Sequence, residues 1–321
     1  MEKILILLHA VDKAALEVLS LASGDFDVAL IGEGPNTIGS CGAKRFFVVD
    51  GPEFATSRYS TDTAAAEALV KAAGATIVLA PCTPRWHRAL PGVAERLNGA
   101  IDTHVSSFAE GSVSRWFYRQ RMEGTLKRTQ RPWFILVDSG AAAPWSGAPA
   151  EVAIEKVAVP SVETRTEVTG IERPPQDQQT IRPDAKLLFV AGAGWTKKQK
   201  DGQVHIEDAA KLITGFVAKA PCSLGSSKSL VDLSGEGQAV LPFLTHMHQV
   251  GQTGSTPRHP KGLSTCCHGE EPHAVGWRFI AERRAINLDA GCGWARGKAD
   301  VLYVADAFEV MRELNALQSA K

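Results

Sequence analysis

The densest run of residues able to do chemistry lies between Gly225 and Asp306. It reads Gly225-Ser-Ser-Lys228, Gln249-Val-Gly-Gln-Thr-Gly254, His268-Gly-Glu-Glu-Pro-His273, Ala285-Ile-Asn-Leu-Asp289 and Ala299-Asp-Val-Leu-Tyr-Val-Ala-Asp306. Small and hydroxyl-bearing residues recur where strands are expected to end. Backbone at such places can approach a phosphate or an aromatic ring closely, and its N–H groups can donate to an anion. The run therefore reads as a cradle for a bound group rather than as acid–base machinery. No Ser, Cys or His spacing in the chain is diagnostic of a nucleophile–base triad, and no catalytic residue is expected.

Two other constellations are weaker. Gly192-Ala-Gly194 follows an apolar strand like the opening of a dinucleotide fingerprint. The third glycine is absent, Trp195 follows, and no acid stands at a ribose-binding distance. Cys266-Cys267-His268, with His246, His248, His259 and His273 nearby in sequence, invites a zinc reading. Adjacent strand residues point to opposite faces, so the two thiols do not converge easily on one ion. They are expected to be buried strand thiols, with no metal site.

The elements that must hold the cradle follow from hydrophobic patterning. A continuous apolar run at Ile4–Leu8 predicts a parallel strand buried on both faces, and further strands are expected at Phe26–Ile31, Arg45–Val49 and Thr76–Ala80. Amphipathic helices alternate with them from Asp12, over Ser60–Ala73 and over Arg88–Leu97, the second with Ser60 or Thr61 as N-cap and Gly74 as stop. The segments 113–118 and 125–127 predict a hairpin, and Trp133–Val137 another strand. Arg115, Arg119, Arg121, Lys127, Arg128 and Arg131 crowd this region against Glu123, either as a solvated face or as an anion or partner surface. A second α/β unit begins at Lys186, with strands expected at Leu187–Ala191, Leu263–Cys267, Arg284–Asn287 and Val301–Val304 and helices at Ile206–Ala218 and Ala307–Leu317. The expectation is an α/β protein of two doubly wound α/β domains, the C-terminal one Rossmann-like. Domain 1 covers 1–139, a connector 140–185, and domain 2 186–321, with an extended stretch at Glu151–Pro160 reaching across.

Composition bounds the rest. The 321 residues carry 35 basic and 35 acidic side chains, which gives no electrostatic reason to expect nucleic acid or an anionic membrane as partner. Six cysteines without framework spacing suit a reducing compartment. No apolar run approaches the ~20 residues of a membrane span, and no leader pattern opens the chain, so a cytoplasmic protein with no membrane insertion is expected.

Taken together, the blocks resemble the FAD domain of the electron-transfer flavoprotein α subunit. That family's Gly-Ala-Ser-Arg followed by Val-Asp is similar to Gly225-Ser-Ser-Lys228 before Val231-Asp232. Its Gln-Val-Gly-Gln-Thr-Gly stands intact at 249–254, its Ser-Gly-Ala-Ile-Gln-His corresponds to 268–273, and its Ala-Ile-Asn-x-Asp to 285–289. Arg88-Ala-Leu-Pro-Gly-Val-Ala-Glu-Arg-Leu97 resembles a helix of the family's first domain, an adenine-nucleotide-hydrolase-like unit that contacts the β subunit. The resemblance implies FAD as cofactor. It places Ser227 and Lys228 near the ring, with Lys228 as the cation and Thr253 and His273 as hydrogen-bonding groups. Val250, Gly251 and Gln252 are placed along the ring and ribityl chain, and Gly194, His268, Gly269, Glu270, Glu271 and Pro272 by the pyrophosphate. Asn287, Asp306 and Ala307 fall to the adenosine half. It also implies a heterodimer with an electron-transfer flavoprotein β subunit carrying AMP, a flavoprotein dehydrogenase as electron donor and a ubiquinone oxidoreductase as acceptor. The reduced flavin gathers negative charge near N1 and O2, which explains why the family holds a cation and donors there.

The departures concern charge. The family's first-loop arginine falls at Gly194 or Trp195, Lys228 replaces a planar arginine fork with a point charge, and His268 replaces a small serine. The chain reads as a divergent member. The alternative is a non-redox nucleotide-binding or interaction protein that kept the fold and lost FAD, and a zinc enzyme is the third reading.

Overall fold

The structure is a computed structural model. It describes residues 2–117, 122–172, 181–182, 185–232, 239–251, 257–265, 277 and 280–319. The chain divides into two units, Met1–Ile171 and Glu172–Lys321, and each has its own sheet.

The first unit begins with β1 (Ile4–Leu8), α1 (Lys13–Leu21), β2 (Phe26–Ile31), β3 (Phe46–Val49), α2 (Pro52–Ala55), α3 (Tyr59–Ala73), β4 (Ile77–Pro81) and α4 (Pro84–Arg96). Then come β5 (Ala100–Ala109), the hairpin β6 (Ser112–Phe117) and β7 (Met122–Leu126), β8 (Trp133–Val137) and β9 (Ile154–Lys156). Its nine-stranded sheet runs β7-β6-β5-β8-β4-β1-β2-β3-β9. The strands from β3 to β8 in that order are parallel and apolar, and their residues are almost all buried because helices or loops cover both faces. The β6–β7 hairpin is antiparallel, as the sequence predicts.

Local chemistry sets the helix ends. Asp12 caps α1 by accepting from the Ala15 N–H at 2.9 Å. Gly74 stops α3 in the left-handed region, at φ 63°. Neither Ser60 nor Thr61 caps that helix. It starts one residue earlier, with Arg58 at the N-cap position and no side-chain cap, and the Asp62 carboxylate reaches back to accept from the Arg58 N–H at 3.0 Å.

Of the basic residues around the hairpin, Arg115, Arg128 and Arg131 pair with acids, while Arg119 and Arg121 lie outside the described residues. Asp102 on β5 is 1% exposed. It accepts from Arg128 Nε at 2.7 Å and Nη2 at 2.8 Å, from the Trp133 indole at 2.9 Å and from Arg115 Nη1 at 3.4 Å. Arg131 pairs with Glu2.

The second unit contains β10 (Leu187–Ala191), α5 (Ile206–Lys219), β11 (Cys222–Ser226), α6 (Lys228–Asp232), β12 (Lys261–Thr265), β13 (Glu282–Asn287), α7 (Gly293–Lys298), β14 (Val301–Val304) and α8 (Ala307–Ser319). All five strands are parallel, in the order β11-β10-β12-β13-β14. Helices α5 and α8 cover one face through Leu212, Ile213, Phe216, Phe308 and Met311. The protein is thus α/β throughout, a mixed sheet in one unit and a parallel one in the other. Among the described residues no helix is long and apolar enough to cross a membrane.

Candidate functional site

In an open parallel sheet, ligands bind outside the carboxyl ends of the strands, where the strand order reverses. In the second unit β10 is the turning point, with β11 on one side and β12 on the other. Every described residue of the predicted cradle lies at or just beyond a strand's carboxyl end or in the segment pairing with one. Gly194 follows β10, and Ser227 and Lys228 follow β11. Asn287 ends β13, Asp306 and Ala307 follow β14, and Val250 and Gly251 run beside the end of β11. Val250 donates its N–H to the Ser226 carbonyl at 3.0 Å, so the 249–251 segment continues the sheet edge. Gln252, Thr253, His268, Gly269, Glu270, Glu271, Pro272 and His273 lie outside the described residues.

Four of the predicted residues come together in one cleft. Gly194, Asn287, Asp306 and Ala307 line a small, partly open cleft with Leu288 and Gln199. Asn287 is nearly buried and turns its side-chain oxygen to the Asp289 N–H at 3.0 Å, fixing an Asx turn at the strand end. Asp306 caps α8, accepting from the Phe308 N–H at 2.8 Å and the Glu309 N–H at 3.4 Å. Its second oxygen faces Lys200 Nζ at 3.8 Å.

Sequence reasoning missed Gln199 and Lys200. Gln199 donates to the Gly194 carbonyl at 3.1 Å and to the Lys197 carbonyl at 2.7 Å, which folds the loop back over the cleft. The signal available was the basic run Lys197-Lys-Gln-Lys200 immediately after the glycine turn.

Other positions have structural duties. Trp195 is fully buried, donates its indole N–H to Thr265 Oγ1 at 2.8 Å and packs on Phe308 at 4.6 Å between ring centroids. Gly194 and Trp195 therefore bring no cation, and Lys200 is the cation this loop supplies at the cleft. Gly225 is required by packing: a Cβ there would lie 2.5 Å from Val250 Cγ2. His248 holds a turn, its Nδ1 meeting the Thr245 N–H at 3.1 Å, and desolvation lowers its pKa. Burial pushes the Cys222 thiol up to about 11, so it stays protonated as a packing residue. Lys228 is exposed at the start of α6.

One observation bears on whether a polar cofactor fits. The hydroxyls of Ser226 and Ser227 are fully buried at the end of β11 and make no hydrogen bond among the described residues. A buried hydroxyl left unpaired costs about 1–3 kcal/mol. Polar atoms of a nucleotide cofactor at the switch point would satisfy them, and so the residues present fit such a group.

The second unit is thus a parallel α/β sheet with polar groups gathered at its switch point. Residues 8–163 match the family described as the electron transfer flavoprotein domain. The match lies within the first unit, and the choice between α and β subunit rests on the second. A search of curated proteins finds no significant match.

Proposed function

We propose that this chain is the α subunit of a heterodimeric electron-transfer flavoprotein and holds FAD at the carboxyl ends of the second unit's strands. The observation that carries the reading is the cleft in which Gly194, Asn287, Asp306 and Ala307 meet. These residues were nominated from separate sequence blocks. The Ser226 and Ser227 hydroxyls, without a hydrogen bond among the described residues, support it from the other side of the turning strand, and the domain match over 8–163 supports it independently.

When bound, the flavin supplies reversible electron uptake. The chain's own residues bind, orient and tune. Asn287 and Asp306 would hold the adenosine half. The 249–254 segment and Ser227 would contact the ribityl chain and ring, with Thr253 and His273 as the hydrogen-bonding groups the family resemblance assigns. Lys228 and Lys200 would offset negative charge, and the 268–273 segment would supply backbone N–H groups to the pyrophosphate. Electron transfer between proteins needs no side chain to act as general acid or base. The partners follow the family: a β subunit carrying AMP, a flavoprotein dehydrogenase that donates and a ubiquinone oxidoreductase that accepts.

Co-expression with a β subunit tests this. The heterodimer is expected to purify yellow, with flavin absorption bands and one FAD per dimer released on denaturation. A colourless heterodimer refutes the reading and leaves a non-redox nucleotide-binding role for the same cleft.

A further inference from the structure

The first unit has its own switch point, which the flavin reading leaves unused. Strand order reverses between β1 and β4, and four chemistry-bearing side chains gather close to the carboxyl end of β4. Cys82 follows β4, tied by its N–H to the Val137 carbonyl at 2.8 Å, and carries a free thiol. His87 lies in the first turns of α4, the helix leaving that strand. His104 sits on β5 within a register shift between Asp102 and Val105, in the left-handed region at φ 55°. Asp138 follows β8, its N–H donating to the Val105 carbonyl at 2.9 Å.

A donor atom from each of Cys82, His87 and His104 lies within 4.8 Å of the other two. Cys82 Sγ is 3.9 Å, and Asp138 Oδ1 3.1 Å, from the same His104 nitrogen, Nδ1. The His87 and His104 ring centroids are 5.0 Å apart. That sharing decides between two chemistries. A Cys–His–Asp relay needs the nucleophile and the acid on opposite ring nitrogens, and here both meet one. Donors converging on a common point suit a metal ion instead. Tetrahedral zinc, with bonds of about 2.0–2.3 Å, sets its ligands about 3.3–3.8 Å apart. Cys82, His87 and His104 present donor atoms within 4.8 Å of one another, so small side-chain rotations bring the three to those separations. One thiolate with two imidazoles selects zinc over magnesium or calcium, which take oxygen ligands. Both histidines are exposed, which gives the ion a path from solvent. His104 also holds a backbone conformation that costs ~1 kcal/mol or more for a non-glycine residue, as positions built for a ligand often do.

We propose that Cys82, His87 and His104 bind one zinc ion at the carboxyl edge of the first unit's sheet, with the Asp138 carboxylate holding the His104 ring in place by its hydrogen bond. The site stands independently of the flavin assignment, since all four residues belong to the other unit.

The test uses the full chain, stripped with a chelator and dialysed against zinc or cobalt. Elemental analysis is expected to find one zinc per chain. The cobalt form is expected to show a thiolate charge-transfer band and the strong visible absorption of a tetrahedral ion. Cys82→Ser should abolish the charge-transfer band, and Asp138→Asn should weaken zinc binding by about 10- to 100-fold. His104→Asn guards against misfolding, because asparagine tolerates the left-handed region; it should keep the far-ultraviolet dichroism and lose the metal. The double variant Cys266→Ser/Cys267→Ser should bind zinc like the parent. Absence of stoichiometric zinc overturns the proposal. So does a cobalt band that survives Cys82→Ser or disappears in the Cys266/Cys267 double variant.

Discussion

Asp306 carries two loads that substitution can separate. One carboxylate oxygen caps α8 through the Phe308 and Glu309 N–H groups, and the carboxylate lines the cleft with Asn287 and Gly194. Asp306→Ala removes both. Loss of an N-cap costs about 0.5–2 kcal/mol, typically ~1. The ion pair with Lys200 adds little, because that lysine is 69% exposed and the separation is 3.8 Å. Asp306→Asn keeps an oxygen for the cap and replaces the charge. Its unfolding free energy should stay within ~0.5 kcal/mol of the parent, as asparagine caps about as well as aspartate. If Asp306 also accepts from the cofactor's adenosine half, losing a charged hydrogen-bond partner costs about 1.5–3 kcal/mol, roughly a 10- to 150-fold weaker hold on FAD. Denaturant unfolding of the chain measures the first quantity, and flavin titration of the co-expressed heterodimer the second. A stable Asp306→Asn protein that holds FAD as tightly as the parent would show that the aspartate serves only as a cap, and the placement of the adenosine half would be wrong.

Two further outcomes follow from packing and charge. Gly225→Ala forces a Cβ to 2.5 Å from Val250 Cγ2 and should cost about 1–3 kcal/mol; adding Val250→Ala should return part of that loss, and a double variant showing the plain sum of the two losses would refute the contact. Asp102 is the second case. Burial acts to raise its pKa, but hydrogen bonds from Arg128 and Trp133 prevail and hold it below its ordinary 3.8. A depressed folded-state pKa means that this stabilisation is complete above the ordinary value and is lost as pH falls below it, through the folded-state value. Unfolding followed from pH 6 to pH 3 should therefore show Asp102→Asn less stable at the upper end by about 1–3 kcal/mol, with the gap to the parent narrowing toward the acid end. A constant gap would refute the assignment.

The parallel centre of the first unit was legible because β1, β3, β4 and β8 are unbroken apolar runs and β2 is interrupted only by Asp27. Strand β5 was not, since Asp102, Thr103 and His104 interrupt its pattern, and the arginines that make a buried aspartate tolerable come from elsewhere in the chain. Strand β11 hid for a different reason: Cys222-Ser-Leu-Gly-Ser226 is short and small-sided, because Val250 and Leu188 fill the space beside Gly225. Asn287 stood out in a motif in register with the family's, and Asp306 in one displaced from it by about one residue. Gln199 and Lys200 reach the cleft only through a loop's return, and Cys82, His87 and His104 meet only because β4, α4 and β5 do, so neither group leaves a local pattern to read.

Strand β9 has a consequence for handling the protein in pieces. It is three residues long, exposed along its length, and pairs with β3, the Phe46-Phe-Val-Val49 run. An open strand edge of that composition is a template for another chain. Glu155 and Lys156 make β9 a charged selvage on the sheet's last thread, too short and too polar to recruit a neighbour. A fragment cut at residue 139 would unpick that hem and present bare Phe46–Val49 backbone to its copies, whereas one ending at Ile171 carries its own edging.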